Sequence, residues 1–112
     1  SGSTTSYNPS SDISLKENIR PITNGLDRVS KLKPVDYNWK ENGSLDNGFI
    51  AQDLLETEEF AHRCNVIGTR DDGYKVYGVD YMKFVAVLTA AIQELSAKND
   101  ALEARIAAME AK

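Results

Sequence analysis

The stretch VAVLTAAIQELSAKNDALEARIAAME, Val85 to Glu110, contains no glycine or proline and repeats its apolar residues at steps of three and four. Val85, Leu88, Ile92, Leu95, Asn99, Leu102, Ile106 and Met109 fall on one stripe of a helix. In heptad terms Val85, Ile92, Asn99 and Ile106 occupy a, and Leu88, Leu95, Leu102 and Met109 occupy d. Lys98 and Arg105 then stand at g, Glu103 and Glu110 at e. Across a parallel neighbour, Lys98 meets Glu103 and Arg105 meets Glu110, both attractive pairings. Counted from Asp80, placed as the helix cap, the element runs about 45 Å at about 1.5 Å per residue. A small domain cannot cover that length, so the last two heptads require other chains. The stripe therefore predicts a parallel homo-oligomeric coiled coil. β-Branched residues at a with leucine at d favour two strands, Asn99 would fix register, and the heptad arithmetic leaves a trimer open.

Upstream the pattern changes. Tyr74 to Val79 alternates apolar and polar residues behind the turn Asp71-Asp72-Gly73, which predicts a strand. Val35-Asp36-Tyr37-Asn38-Trp39 alternates likewise and is followed by the turn Glu41-Asn42-Gly43-Ser44. Gly48-Phe49-Ile50-Ala51 opens an apolar stretch that fits strand or helix. Between Glu17 and Leu32, the residues Ile19, Ile22, Leu26, Val29 and Leu32 recur at helical spacing. They predict a helix that begins near Pro21 and is closed by Pro34. The predicted class is α+β: a small β-containing body with short helices over residues 11–79, and a long helix over 80–112. Residues 1–10 read as a linker, with Ser1-Gly2-Ser3 as a cloning remnant.

Composition removes many functions. The chain has 112 residues, 13 basic and 17 acidic, for a net charge of −4. Its charges are dispersed, so no basic stripe offers a grip on nucleic acid. The longest apolar run, Phe84 to Ile92, is too short to cross a bilayer, and no signal peptide opens the chain. One cysteine, Cys64, and one histidine, His62, cannot form an internal disulfide or fill a metal shell. Cys64 reads as a small packing residue and His62 as a surface group. No phosphate-binding glycine loop, HExxH or paired-carboxylate motif is present, and no cofactor is expected.

The segment SSDISLKENIRPI, Ser10 to Ile22, holds the remaining chemistry. A serine and a lysine five residues apart, Ser11 and Lys16, form a catalytic dyad only where surroundings keep the amine neutral, able to take the serine proton. The bland alternative is that Ser11 caps a turn and Lys16 is a solvated charge.

An ordered series of short motifs favours the first reading. Ser11-Asp12, Leu15-Lys16, Asn18-Ile19 and Pro21-Ile22 come first. They are followed by Lys31-Leu32-Lys33-Pro34, Tyr37-Asn38-Trp39 and Gly48-Phe49-Ile50-Ala51-Gln52-Asp53. Val79-Asp80-Tyr81 and Ala91-Ile92-Gln93-Glu94-Leu95 complete the series. From Ser11 to about Leu102 the chain resembles the intramolecular chaperone domains of phage tailspikes, tail fibres and endosialidases, the S74 peptidase family. The resemblance implies a C-terminal domain that forms a homotrimer, templates an upstream passenger on the same polypeptide, and then cuts itself off. It implies a scissile bond between Ser10 and Ser11, Ser11 as nucleophile and Lys16 as base, with the dyad acting within a chain or between chains. It also implies action in the host bacterial cytoplasm during phage assembly, and absence of the released domain from the mature virion. The rival is a non-catalytic trimerisation module of a fibre or adhesin. A hydrolase of outside substrates lacks a third catalytic group and any substrate signature.

Overall fold

The computed structural model describes residues 11–112; Ser10, and with it one side of the expected scissile bond, lies outside them. The described residues form two antiparallel hairpins and three α-helices, with short 3₁₀ turns between them. The first hairpin joins β1 (Val35–Asn38) to β2 (Leu45–Gly48), with Val35 opposite Gly48 and Asn38 opposite Leu45. Its turn is closed by Gly43 N donating to Trp39 O at 2.7 Å and by Asn38 Nδ2 donating to Gly43 O at 3.0 Å. The second joins β3 (Cys64–Thr69) to β4 (Lys75–Val79) through the Asp71-Asp72-Gly73 turn. Around that turn Arg70 N donates to Tyr74 O at 2.8 Å, and the Arg70 guanidinium lies 4.8 Å from the Tyr74 ring centre. The short helices are α1 (Gly25–Val29) and α2 (Ala51–Leu55); the long one is α3 (Val85–Glu110), 26 residues.

The helix expected from near Pro21 is shorter than its apolar spacing suggests. It starts only at Gly25, and the residues before it are irregular. Asn18 and Asn24 hold left-handed backbone, φ 52° and 57°, which breaks helical continuity on both sides of Pro21. Ile19 and Ile22 consequently project into solvent, 67% and 37% exposed.

A second correction concerns Asp80. It precedes a 3₁₀ turn over Tyr81–Phe84 and makes no side-chain capping bond; the α-helix proper begins at Val85. Here tertiary contacts override capping preference. Asp80 N donates to Arg63 O at 2.8 Å, and the Tyr81 hydroxyl receives Phe49 N–H at 2.9 Å. A Cβ on Gly48 would overlap that hydroxyl, so the close approach of the hairpin to Tyr81 requires glycine there.

Phe84 is carried by this turn into the centre of the body. There it packs against Phe60, ring centres 5.4 Å apart, and Phe49 at 5.2 Å. Leu54 and Val87 complete the buried cluster, with Val29, Leu32, Cys64 and Val79 around it. Among the described residues the buried apolar set is Ala51, Leu54, Phe60, Phe84, Val87 and Ala91. This is a small core. Burying a large apolar side chain contributes about 1.5–3 kcal/mol, whereas ordering each residue costs on the order of 1–2 kcal/mol in backbone entropy. A domain with so little buried surface needs further burial to be robust.

Candidate functional site

Helix α3 has two separate apolar faces. Its first face is used inside the chain: Val87 and Ala91 are 3% and 4% exposed, packed against the body and α1. The second is the heptad stripe, about a third of a turn round the helix. Val85, Leu88, Ile92 and Leu95 on it are 53%, 37%, 67% and 57% exposed. Leu102, Ile106 and Met109 further along are 52%, 54% and 71% exposed. Every residue from Leu95 to Lys112 is exposed, so the second half of α3 projects beyond the body with no cover from the described residues of its own chain. Scattered surface leucines are ordinary, but an exposed apolar stripe along about seven helical turns has the character of an interaction surface. Asn99 interrupts the stripe, and its Nδ2 donates to Glu103 Oε1 one turn on at 3.2 Å.

The Ser11–Lys16 segment folds as one 3₁₀ turn, Ile13–Leu15. Asp12, not Ser11, caps it: Asp12 Oδ1 accepts Ser14 N–H at 2.8 Å. Leu15 N and Lys16 N donate to Asp12 O and Ile13 O, each at 3.1 Å. Hydrogen bonds from Ser14, first its side chain and then its backbone, hold the Asp12 carboxyl below its ordinary value. Ser11 and Lys16 flank this turn, and both are exposed in the single chain. The turn thus brings the two candidates to the same short loop, and among the described residues nothing removes Lys16 from water.

What fixes α1, the first helix after this segment, on α3 escaped the sequence reading. Gly25, the first residue of α1, is buried against α3 where a Cβ would lie 2.8 Å from Ala91 N and from Glu94 Oε2. The Glu94 carboxylate accepts the Gly25 N–H, so a side chain of α3 caps α1. Arg28 Nε pairs with Glu59 Oε2 at 2.6 Å and ties the other side of α1 to the loop after α2. The signals were Asn24-Gly25 at a helix start and an acidic residue on the covered face of α3. Neither is specific without coordinates.

Cys64 is half-buried, its Sγ 3.8 Å from Ala51 O, and burial pushes its thiol above the ordinary range. That is the environment of a packing residue, not of an activated thiolate. His62 is exposed.

Residues 11–61 match the family described as chaperone of endosialidase, Peptidase_S74. The chain is also 36% identical over 102 residues to the long tail fiber protein Gp37 of Enterobacteria phage K3. The Gp37 of phage T2 matches to the same degree. These alignments take in 86% of this chain but only 8% and 7% of the two fiber proteins, so the chain spans a small fraction of their length. By the match over residues 11–61 and the likeness across most of its length, the chain belongs to Peptidase_S74, the chaperone-of-endosialidase family and a peptidase family.

Proposed function

We propose that this chain is the assembly chaperone of a fibrous phage tail protein carried upstream on the same polypeptide. Three copies bundle their α3 helices in parallel, hold three upstream chains in register, and then release themselves by cutting between Ser10 and Ser11. The observation that carries the reading is the uncovered heptad stripe on a helix that outruns its own body. Kinship with long tail fiber proteins supports the nature of the passenger. Assembly and release would take place in the host bacterial cytoplasm.

The physical logic is kinetic. An intertwined fibre depends on non-local and intermolecular contacts, so its folding is slow and exposed to aggregation. A helical bundle forms from local structure and raises the effective concentration of the upstream chains around one another. Cutting the bundle away afterwards removes the route back, which leaves the fibre kinetically stable.

In the cut, the Ser11 hydroxyl oxygen attacks the Ser10 carbonyl carbon while the neutral Lys16 amine takes the hydroxyl proton. The Ser10–Ser11 C–N bond breaks as its nitrogen receives a proton, leaving an ester between the Ser10 acyl group and the serine oxygen. Water hydrolyses that ester to a Ser10 carboxylate and a restored serine hydroxyl. Lys16 serves only when neutral, and exclusion of water favours the neutral amine. Exposure of Lys16 in the single chain therefore makes cutting conditional on assembly.

The same exposure also favours a second reading, a trimerisation module in which Ser11 and Lys16 have no catalytic part. The chaperone role is tested by expressing the native upstream fibre segment with residues 11–112 intact, with Leu95→Ala and Leu102→Ala, and without them. The reading expects trimeric, soluble fibre only from the intact chain. Equal yield of trimeric fibre without residues 11–112 would overturn it.

A further inference from the structure

We propose that the segment Ile13–Ile22 is an interchain arm that lies against α3 of a neighbouring copy and thereby covers Lys16. This rests on the assembly reading above and adds a second interface to it. In the single chain Ile13, Leu15, Ile19 and Ile22 are 74%, 67%, 67% and 37% exposed, and no residue from Ser11 to Asn24 is buried. Four large apolar side chains within ten residues form a patch that water does not favour.

The anchor of the arm says what covers it. Gly25 is fixed on α3 at Ala90, Ala91 and Glu94, on the face turned toward the chain's own body. The arm therefore leaves α3 level with Leu88 to Leu95, in the N-terminal half of the exposed heptad stripe. In a parallel bundle the neighbouring α3 stands at the same height, about 8–10 Å away. The nine residues from Lys16 to Asn24 can span up to about 30 Å. A neighbouring copy is thus within reach at the level where the arm emerges. Within Ile13–Ile22 the charges are Lys16 and Arg20 against Glu17, a net of +1 on a chain of net charge −4, so no like-charge repulsion opposes docking. Where it docks, Ile19 and Ile22 extend the apolar contact of the stripe, and Lys16 passes from water to an interface between chains.

The test uses the wild-type chain with isoleucine methyl groups isotopically labelled, mixed with unlabelled chain and read by isotope-filtered nuclear Overhauser contacts. Ile92 and Ile106 report the helical stripe, and Ile50 and Ile67 report the body. The arm proposal expects contacts to the unlabelled copy from Ile19 and Ile22 as well as from Ile92 and Ile106. Contacts from Ile92 and Ile106 with none from Ile13, Ile19 or Ile22 would overturn the arm and leave the assembly reading standing. No interchain contact at any isoleucine, with a monomeric mass by sedimentation, would overturn both. As a second measurement, Ile19→Ser with Ile22→Ser should lower the trimerisation constant by about tenfold or more. An unchanged constant in a folded variant would count against the arm.

Discussion

Replacing Leu95 by alanine separates the two faces of α3. Leu95 is 57% exposed in the single chain, so rather more than half of its surface remains for a neighbour to cover. Full burial of a leucine contributes about 1.5–3 kcal/mol, which puts the part due to assembly at about 1–1.5 kcal/mol per chain. A parallel trimer repeats the site in each chain, giving about 3–4.5 kcal/mol per assembly before any cavity penalty. At about 1.4 kcal/mol per factor of ten, the trimerisation constant should fall by two to three powers of ten. Sedimentation equilibrium across a concentration series, with thermal melting at each concentration, measures this. The comparison variant is Val87→Ala, whose side chain is 3% exposed inside the chain's own core. It should lower the melting temperature at every concentration, whereas Leu95→Ala should steepen the dependence of melting on concentration. If Leu95→Ala leaves mass and melting unchanged, the stripe is not an interface and the heptad assignment fails.

Three further outcomes are expected. Asn99→Ile should raise the melting temperature and broaden the distribution of oligomers, because a polar a position fixes register at a cost in stability; a lower melting temperature would show that the bond to Glu103, or its counterpart between chains, is net stabilising. Gly25→Ala should destabilise the fold by about 1–3 kcal/mol, since a Cβ lies too close to Ala91 N and Glu94 Oε2; calorimetry showing wild-type stability would place α1 differently on α3. Cys64 should react slowly with a disulfide reagent at neutral pH in the folded protein and quickly after denaturation, because burial raises its thiol; rapid reaction when folded would contradict its packing role.

The elements most readable in the sequence were those whose period is undisturbed. On α3 the stripe runs without glycine or proline, β1 alternates cleanly, and β4 follows a recognisable turn, so their residues announce their structure. β3 did not, because its pairing with β4 shifts register between Val66 and Gly68. The irregularity at Ile67 breaks the alternation that marks a strand. β2, Leu45-Asp46-Asn47-Gly48, is almost wholly exposed, and its one large apolar residue, Leu45, sets up no alternation. The overlong helix near Pro21 shows the opposite error. Its apolar spacing is real, but two asparagines with left-handed backbone decide the local conformation, and spacing alone cannot show that.

At the candidate site the difficulty is of another kind. The five-residue interval from Ser11 to Lys16 carries little information on its own, and it gained meaning only from the ordered motifs that resemble a family. The 3₁₀ turn between them was legible as a polar turn. Its Asp12 cap and the anchoring of α1 through Gly25 to Glu94 were not, because the latter joins residues far apart in the chain. On the proposed reading the surroundings that keep Lys16 neutral come from a neighbouring copy, and a single sequence does not display the surface of its neighbour.

The most direct test of the account is the N-terminus released from a fusion of residues 1–112 to their native upstream fibre sequence. Intact-mass spectrometry, with no protease added, should find a fragment that begins at Ser11. Ser11→Ala and Lys16→Ala should each abolish that fragment while the assembly keeps its mass. Lys16→Arg should abolish it too, because a guanidinium stays protonated. A fragment beginning at any other residue, or efficient cutting by the Lys16→Ala chain, would contradict the account.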